Sequence, residues 1–127
     1  MEFYFPSELP ERLAFISAAV VAAIGLVAML FPAPVLRAGG FTTGVVTAEG
    51  FGAVRSSGGL YLGLGLAALA LAQDFTYLVL GTALAFAALG RLLSLFLDRG
   101  VTARNLFVLM VQMVLAALPL GYVFGYI

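Results

Sequence analysis

The sequence contains no cysteine, histidine, lysine or tryptophan. Without cysteine there are no disulfides, no thiol chemistry and no thiolate-bound metals. Without histidine, the commonest metal and haem ligand and the usual proton shuttle are missing. Without lysine, a Schiff base or a lysine nucleophile is excluded. The side chains left for chemistry are those of Arg, Glu, Asp, Tyr, Ser, Thr, Asn and Gln, and no catalytic residue, metal site or tightly bound cofactor is predicted.

Charge is also scarce. Only 9% of the 127 residues are charged and 64% are hydrophobic, with a mean hydropathy of +1.17 and six arginines balanced by six acidic residues. A soluble domain of this size could not cover its surface with so few charges. There is no basic tail or patch that could follow a nucleic acid backbone. The composition therefore predicts a single integral membrane domain over residues 1–127 and argues against nucleic acid as a partner.

Four apolar segments predict four membrane-spanning helices, at about residues 11–33, 50–72, 75–97 and 104–126. Each is close to the roughly 20 residues that a helix needs to cross the hydrocarbon core. The alternating pattern of barrel strands is missing, which leaves helices as the form that satisfies the backbone in lipid. Asp74 and Thr102 are expected to cap the third and fourth helices. Because the last two connections are very short, we expect the second, third and fourth helices to pack as antiparallel neighbours. The predicted fold is an all-α, antiparallel up-down four-helix bundle in the membrane.

The distribution of arginine predicts the orientation. Arg12 lies alone at one end, and the other five arginines lie on the side of the first and third connections: Arg37, Arg55, Arg91, Arg99 and Arg104. The positive-inside rule places those connections in the cytoplasm and both termini in the periplasm, across a bacterial inner membrane. The first segment is expected to be a retained helix, because the acidic stretch before it does not suit a signal peptide.

Aromatic residues are concentrated at the predicted outer ends of the helices. The members of this group are Phe3, Tyr4, Phe5, Phe75, Tyr77, Tyr122, Phe124 and Tyr126. Aromatic side chains favour the membrane–water interface, so we interpret the group as an interfacial belt.

Two arginines lie inside the predicted spans, where an ionised side chain usually faces a bundle interior, a cavity or a partner. Arg55, Arg91 and Gln112 lie on three different helices, each about 9–12 Å from the predicted cytoplasmic end at 1.5 Å per residue. We predict that they form one polar layer that binds a ligand or a partner. The further members of the predicted site are Glu49 and Asp98 at the cytoplasmic rim, Ser94 one turn from Asp98, and Tyr61 towards the interior.

Two interpretations of this layer remain open. In the first, the guanidinium groups hold the carboxylate or phosphate of a ligand by bidentate hydrogen bonds. In the second, the arginines extend to the interface or pair with Glu49 and Asp98, and simply fix the ends of the helices.

Small residues form a second pattern. The glycines at helix-packing spacing are Gly59 and Gly63 in the second helix, Gly81 in the third, and Gly121 and Gly125 in the fourth. Such stripes let helices approach closely in lipid. Packing within the chain is the favoured interpretation, and a homodimer face is the alternative.

Two stretches resemble a known family: AEGFGAVRSSGGLYLGLG at residues 48–65 and LGRLLSLFLDRG at residues 89–100. Their most specific parts are the blocks that hold Arg55 and Arg91. Over nearly its whole length the chain resembles an uncharacterised bacterial four-helix inner-membrane family, known as a domain of unknown function and distantly similar to DoxX-like proteins. The resemblance implies the fold and the location, and it supplies no activity.

The pattern as a whole favours a small, non-enzymatic membrane protein. It would be an accessory subunit or a binder of lipid, quinone or another hydrophobic ligand, acting through the arginine layer, alone, as a homodimer or in a larger membrane complex. The alternative is a small-molecule transporter or a membrane enzyme that uses the same layer. Inverted repeats and broken helices, which are typical of transporters, are not detectable, and general bases are few.

Overall fold

A computed structural model of the chain describes residues 8–40, 43–98 and 102–125, with the backbone alone at residue 43. Within these ranges the regular elements are helical: α1 (Leu9–Leu30), α2 (Pro32–Ala38), a single 3₁₀ turn (Thr43–Val45), α3 (Ala48–Leu71), α4 (Asp74–Leu97) and α5 (Ala103–Phe124). Helices α1, α3, α4 and α5 are long and apolar enough to cross a membrane. The predicted all-α fold with four such helices is therefore confirmed.

Residues just outside the helices determine where they begin. The hydroxyl oxygens of Thr47 and Thr102 accept hydrogen bonds from the backbone N–H groups of Gly50 and Asn105, both at 3.1 Å. Thr102 is thus the N-cap of α5, as predicted. Helix α4 differs, because its N-cap is the extended residue Gln73 and Asp74 is already helical.

Helix α1 is the centre of the packing. It makes its largest interface with α3 and a second one with α5, while α4 packs mainly on α5. Its buried residues follow a helical period and are mostly small: Ala14, Ser17, Ala18, Val21, Ala22, Gly25 and Ala28. Helices α3 and α4 touch little, although only two residues connect them. The short connection predicted them to be packed neighbours, and the described contacts instead join each of them to another helix.

Glycines bring α1 and α3 into backbone contact. A β-carbon on Gly58 would lie 2.6 Å from the Gly25 carbonyl oxygen, and one on Gly65 would lie 2.7 Å from the Ala18 carbonyl oxygen. Residues 58 and 65 are two turns apart and so share one face of α3. The predicted Gly63 lies on another face, where a β-carbon would meet nothing within 4 Å. A β-carbon on the predicted Gly59 would meet only the Met29 sulfur, at 3.5 Å.

The other predicted packing glycines have different surroundings. Gly81 lies in the contact between α4 and α5, where a β-carbon would lie 2.6 Å from Leu120 Cγ. Gly121 is half-buried in the last turn of α5, and its carbonyl accepts from the Gly125 N–H. Gly125 ends α5 in the left-handed region, with φ of 77°, and faces open space. Gly125 therefore acts as a helix terminator in this chain and makes no helix–helix contact.

A buried hydroxyl joins α1 to α5. The Ser17 Oγ–H donates to the Leu115 carbonyl oxygen at 2.6 Å. That carbonyl lacks its usual helical donor, because the residue four positions later is Pro119, which has no N–H. Serine side chains commonly satisfy backbone groups that a proline frees within a membrane helix. The serine and the proline thus form one structural unit.

The aromatic belt needs a correction at Tyr77. This side chain is 0% exposed and belongs to the main core, where its ring packs edge-on against the ring of Tyr122 with centroids 5.6 Å apart. Tyr77 shares a face of α4 with the buried Leu80, Gly81 and Leu84, which turns it inwards. Phe75 and Phe124 are exposed, at 72% and 60%. The remaining predicted members, Phe3, Tyr4, Phe5 and Tyr126, lie outside the described residues.

Candidate functional site: two separate arginine centres

Arg55 closes the end of α1. Its Nη1 donates to the carbonyl oxygen of Met29 at 2.8 Å and to that of Leu30 at 3.5 Å. The last carbonyls of a helix have no helical donors and carry its partial negative charge. Helix α1 has no basic residue in its own last turn. Arg55 on α3 supplies both the donor and the positive charge.

Arg91 is held by two amides of α5. Its Nε–H donates to Gln112 Oε1 and its Nη1 donates to Asn105 Oδ1, both at 3.1 Å. The two amides are seven residues apart, which places them two turns apart on the same face of α5. Arg91 is half-buried there. The structure therefore brings two members of the predicted layer, Arg91 and Gln112, into direct contact.

Asn105 is the member of this centre that sequence reasoning missed. It lies at the start of α5, where a polar residue is expected at a helix boundary and attracts no attention. The signal that could have identified it is its spacing of seven residues from Gln112. That spacing aligns the two amides along one face of the helix.

Among the residues that the structure describes, the charge of Arg91 has no carboxylate partner. Both of its acceptors are neutral amides, and within the described residues neither arginine contacts Glu49 or Asp98. Asp98 instead accepts a hydrogen bond from the Ser94 hydroxyl at 2.9 Å, and Glu49 is exposed. The described contacts thus do not include the ion pairs with Glu49 and Asp98 that the second interpretation of the layer proposed.

The layer is divided into two centres. Arg55 bonds to α1 and Arg91 bonds to α5, and the described residues show no shared partner between them. Tyr61 is half-buried and packs against the core beside α1, so it belongs to a helix interface. Across residues 8–40, 43–98 and 102–125, acidic side chains do not gather in threes as a metal site would need.

Each centre borders a concave surface. A groove of about 620 Å³ lies beside Arg55. One of its walls is the junction of α1 and α2, and the other is the first two turns of α3. A second groove, of about 740 Å³, lies between residues 38–40 and the start of α5. Asn105, which binds Arg91, is one of the residues that line the second groove.

The chain matches one family model. The model describes a domain of unknown function, DUF4345, and it matches residues 12–123. No curated protein and no solved structure matches the chain. The matched residues include both arginine centres and nearly all of the four long helices. The chain therefore belongs to the DUF4345 family, whose domain has no known function.

Proposed function

We propose that this protein is a non-enzymatic accessory or ligand-binding protein of the membrane, and that Arg91 holds the acidic group of a lipid, another hydrophobic ligand or a partner protein. One observation carries the proposal: among the described residues, the half-buried Arg91 of a helix long and apolar enough to span the membrane is bound by the neutral amides of Gln112 and Asn105 and by no acidic group. A cation in a membrane span is costly and commonly has a counter-charge. The proposal supplies that charge from outside the described chain.

The geometry suits a binding site because the arginine is already oriented. Two amides hold Nε and Nη1, so little side-chain entropy remains to be lost when a ligand binds. The described residues offer no acceptor to Nη2. A carboxylate or phosphate oxygen at Nη2 would make a charge-assisted hydrogen bond, which is about twice as strong as a neutral one.

The proposal has a topological part. We place the protein in a bacterial inner membrane as an antiparallel up-down bundle with both termini in the periplasm, distantly related to DoxX-like proteins. The asymmetry of arginine supports this orientation. The arrangement is supported by α1 and α3, since Gly58 lies against Ala28 and Met29 whereas Gly65 lies against Ala18 and Ala22. Homodimers and larger membrane complexes are both compatible with the site.

Native mass spectrometry of the full chain, purified in mild detergent, tests the binding role. The wild type is expected to carry an acidic lipid, a hydrophobic acid or a partner subunit at Arg91, and Arg91→Gln is expected to carry one such species fewer. Arg37→Gln is the matched control, because Arg37 is an exposed arginine on α2 outside both centres. A bare wild-type monomer, or equal retention of the bound species by Arg91→Gln, contradicts the proposal.

A further inference from the structure

The groove beside Arg55 is apolar apart from one cation. Residues 30–34 form one wall, and Ala48, Phe51, Gly52 and Arg55 on α3 form the other. Among the described residues that line this groove, Arg55 is the only one with a charged side chain. The volume of about 620 Å³ falls within the range of roughly 300–1,000 Å³ that is usual for small-molecule sites. The lining therefore fits an apolar ligand with a single acidic group.

One edge of the Arg55 guanidinium is available to such a group. Nη1 is bound to the end of α1, whereas Nε and Nη2 have no acceptor among the described residues. The N–H groups of Nε and Nη2 point the same way and match the two oxygens of a carboxylate. The carbonyls of Met29 and Leu30 fix the opposite side of the guanidinium, so the free edge has a defined orientation.

We propose that this groove binds a long-chain fatty acid. Its carboxylate pairs with the Nε–Nη2 edge of Arg55, and its acyl chain lies against Phe31 and Phe51. A single chain matches a groove whose walls are a few residues long, and a single negative charge matches the single cation. The proposal rests on the proposed function in one respect, that arginines of these spans bind acidic ligands, and it adds a ligand class and a second centre.

Two glycines of α3 offer a matched test of the groove. Gly52 lines it, and a β-carbon there would meet nothing within 4 Å, so we expect the side chain of Gly52→Leu to extend into the groove. Gly63 also faces open space but does not line the groove, so Gly63→Leu is the control. Both changes replace glycine with a better helix former in the same helix. Both variants are therefore expected to fold.

The measurement is equilibrium binding of radiolabelled oleate to the full chain in phosphatidylcholine nanodiscs, with empty nanodiscs subtracted. The wild type and Gly63→Leu are expected to bind a single oleate with the same affinity. Gly52→Leu is expected to bind about tenfold more weakly or worse. Arg55→Gln is expected to show a similar loss, and Arg55→Lys an intermediate one, because lysine keeps the charge and loses the bidentate edge.

The inference is overturned if the wild type shows no saturable oleate binding, or if Gly52→Leu binds oleate as tightly as the wild type. It is also overturned if Gly63→Leu loses as much affinity as Gly52→Leu. Stronger competition by phosphatidylglycerol than by unlabelled oleate also overturns it, because that result assigns the groove to a two-chain lipid. The readout is independent of Arg91. If Arg91→Gln loses its bound species and Gly52→Leu binds oleate normally, only this inference fails. If Arg91→Gln keeps its bound species and Gly52→Leu binds oleate more weakly, only the proposed function fails.

Discussion

Arg91 and Arg55 show two ways in which a membrane helix can carry a cation. Arg91 is half-buried and donates hydrogen bonds to two amide oxygens on the neighbouring helix. Arg55 instead binds the free carbonyls at the end of α1. Only the second arrangement offsets the charge within the described chain, through the partial negative charge of a helix end. Arg91 is therefore the residue for which we propose a partner outside the described chain.

The amide at residue 112 is expected to stabilise the bundle through Arg91. Gln112→Leu removes the acceptor of Nε, so the free energy of unfolding should fall by about 1–2 kcal/mol. Unfolding in mixed detergent micelles measures this change. Met113→Leu is the control, because Met113 is an exposed neighbour and should have little effect. Equal stability of the two variants would show that the Arg91–Gln112 bond contributes nothing.

Part of the two arginine centres could be predicted from the sequence. Arg55, Arg91 and Gln112 could be predicted because depth along a helix follows from the residue number alone. Their partners could not be predicted, because a side chain's partner depends on which helices are neighbours. Arg91 was expected near Arg55, but α4 packs on α5, and so its partners are the amides of α5.

At the scale of the helix, the Ser17 hydroxyl replaces the backbone N–H donor that Pro119 lacks. Proline leaves the Leu115 carbonyl without a helical N–H, and the serine of α1 donates to it. This hydrogen bond joins two helices. Without it, the Leu115 carbonyl would be buried and would lack a donor.

A double-mutant cycle tests this unit. Ser17→Ala should lower the free energy of unfolding by about 0.6 kcal/mol, the average for hydrogen bonds between membrane helices, and by at most about 1.7 kcal/mol. The same change in a Pro119→Ala background should cost much less, because residue 119 then supplies an N–H to Leu115. Costs that are equal in the two backgrounds would contradict the link between the serine and the proline.

The glycines of α3 make a second prediction at this scale. Gly65→Leu places a side chain against the backbone of Ala18 and Ala22, so we expect a loss of about 1–3 kcal/mol or more. Gly63→Leu should be tolerated. Thermal unfolding of the purified variants measures the difference. If Gly63→Leu is the more damaging of the two, the contact face of α3 is wrong, or that glycine lies in a contact between two copies of the chain.

The small-residue pattern could predict that α3 makes close contacts, but it could not predict the contacting face. Gly58 and Gly59 are adjacent in sequence and differ by about 100° around the helix axis. The rotation of α3 against α1 decides which of them faces inwards. That rotation depends on the shape of α1, and in particular on the gap that Gly25 leaves.

For the whole molecule, four helices long and apolar enough to span a membrane follow directly from length and hydropathy, and the structure has four such helices among its described residues. The order of packing does not follow, because a short connection limits the distance between two helix ends and not between whole helices. Helices α3 and α4 are joined by two residues and still touch little. Helix α1 lies against both α3 and α5, and α4 packs mainly on α5.

The proposed orientation can be tested with single cysteines, because the natural chain has none. Gly44→Cys lies in the connection between α2 and α3, and Gln73→Cys lies between α3 and α4; both positions are exposed. On intact spheroplasts, a membrane-impermeant maleimide should label residue 73 and not residue 44. Labelling of residue 44 should require lysis. The reverse labelling pattern would show that the bundle has the opposite orientation, with the arginine centres near the outer face.

The most direct test of the central claim is solid-state NMR of the arginine guanidinium groups in the full chain, purified with its bound lipids. The Arg91→Gln variant assigns the Arg91 signals by difference. We predict that an Arg91 guanidinium nitrogen shows a dipolar contact to a carboxyl carbon or a phosphorus atom that does not belong to this chain. An Arg91 whose only contacts are Gln112, Asn105 and water would contradict the account.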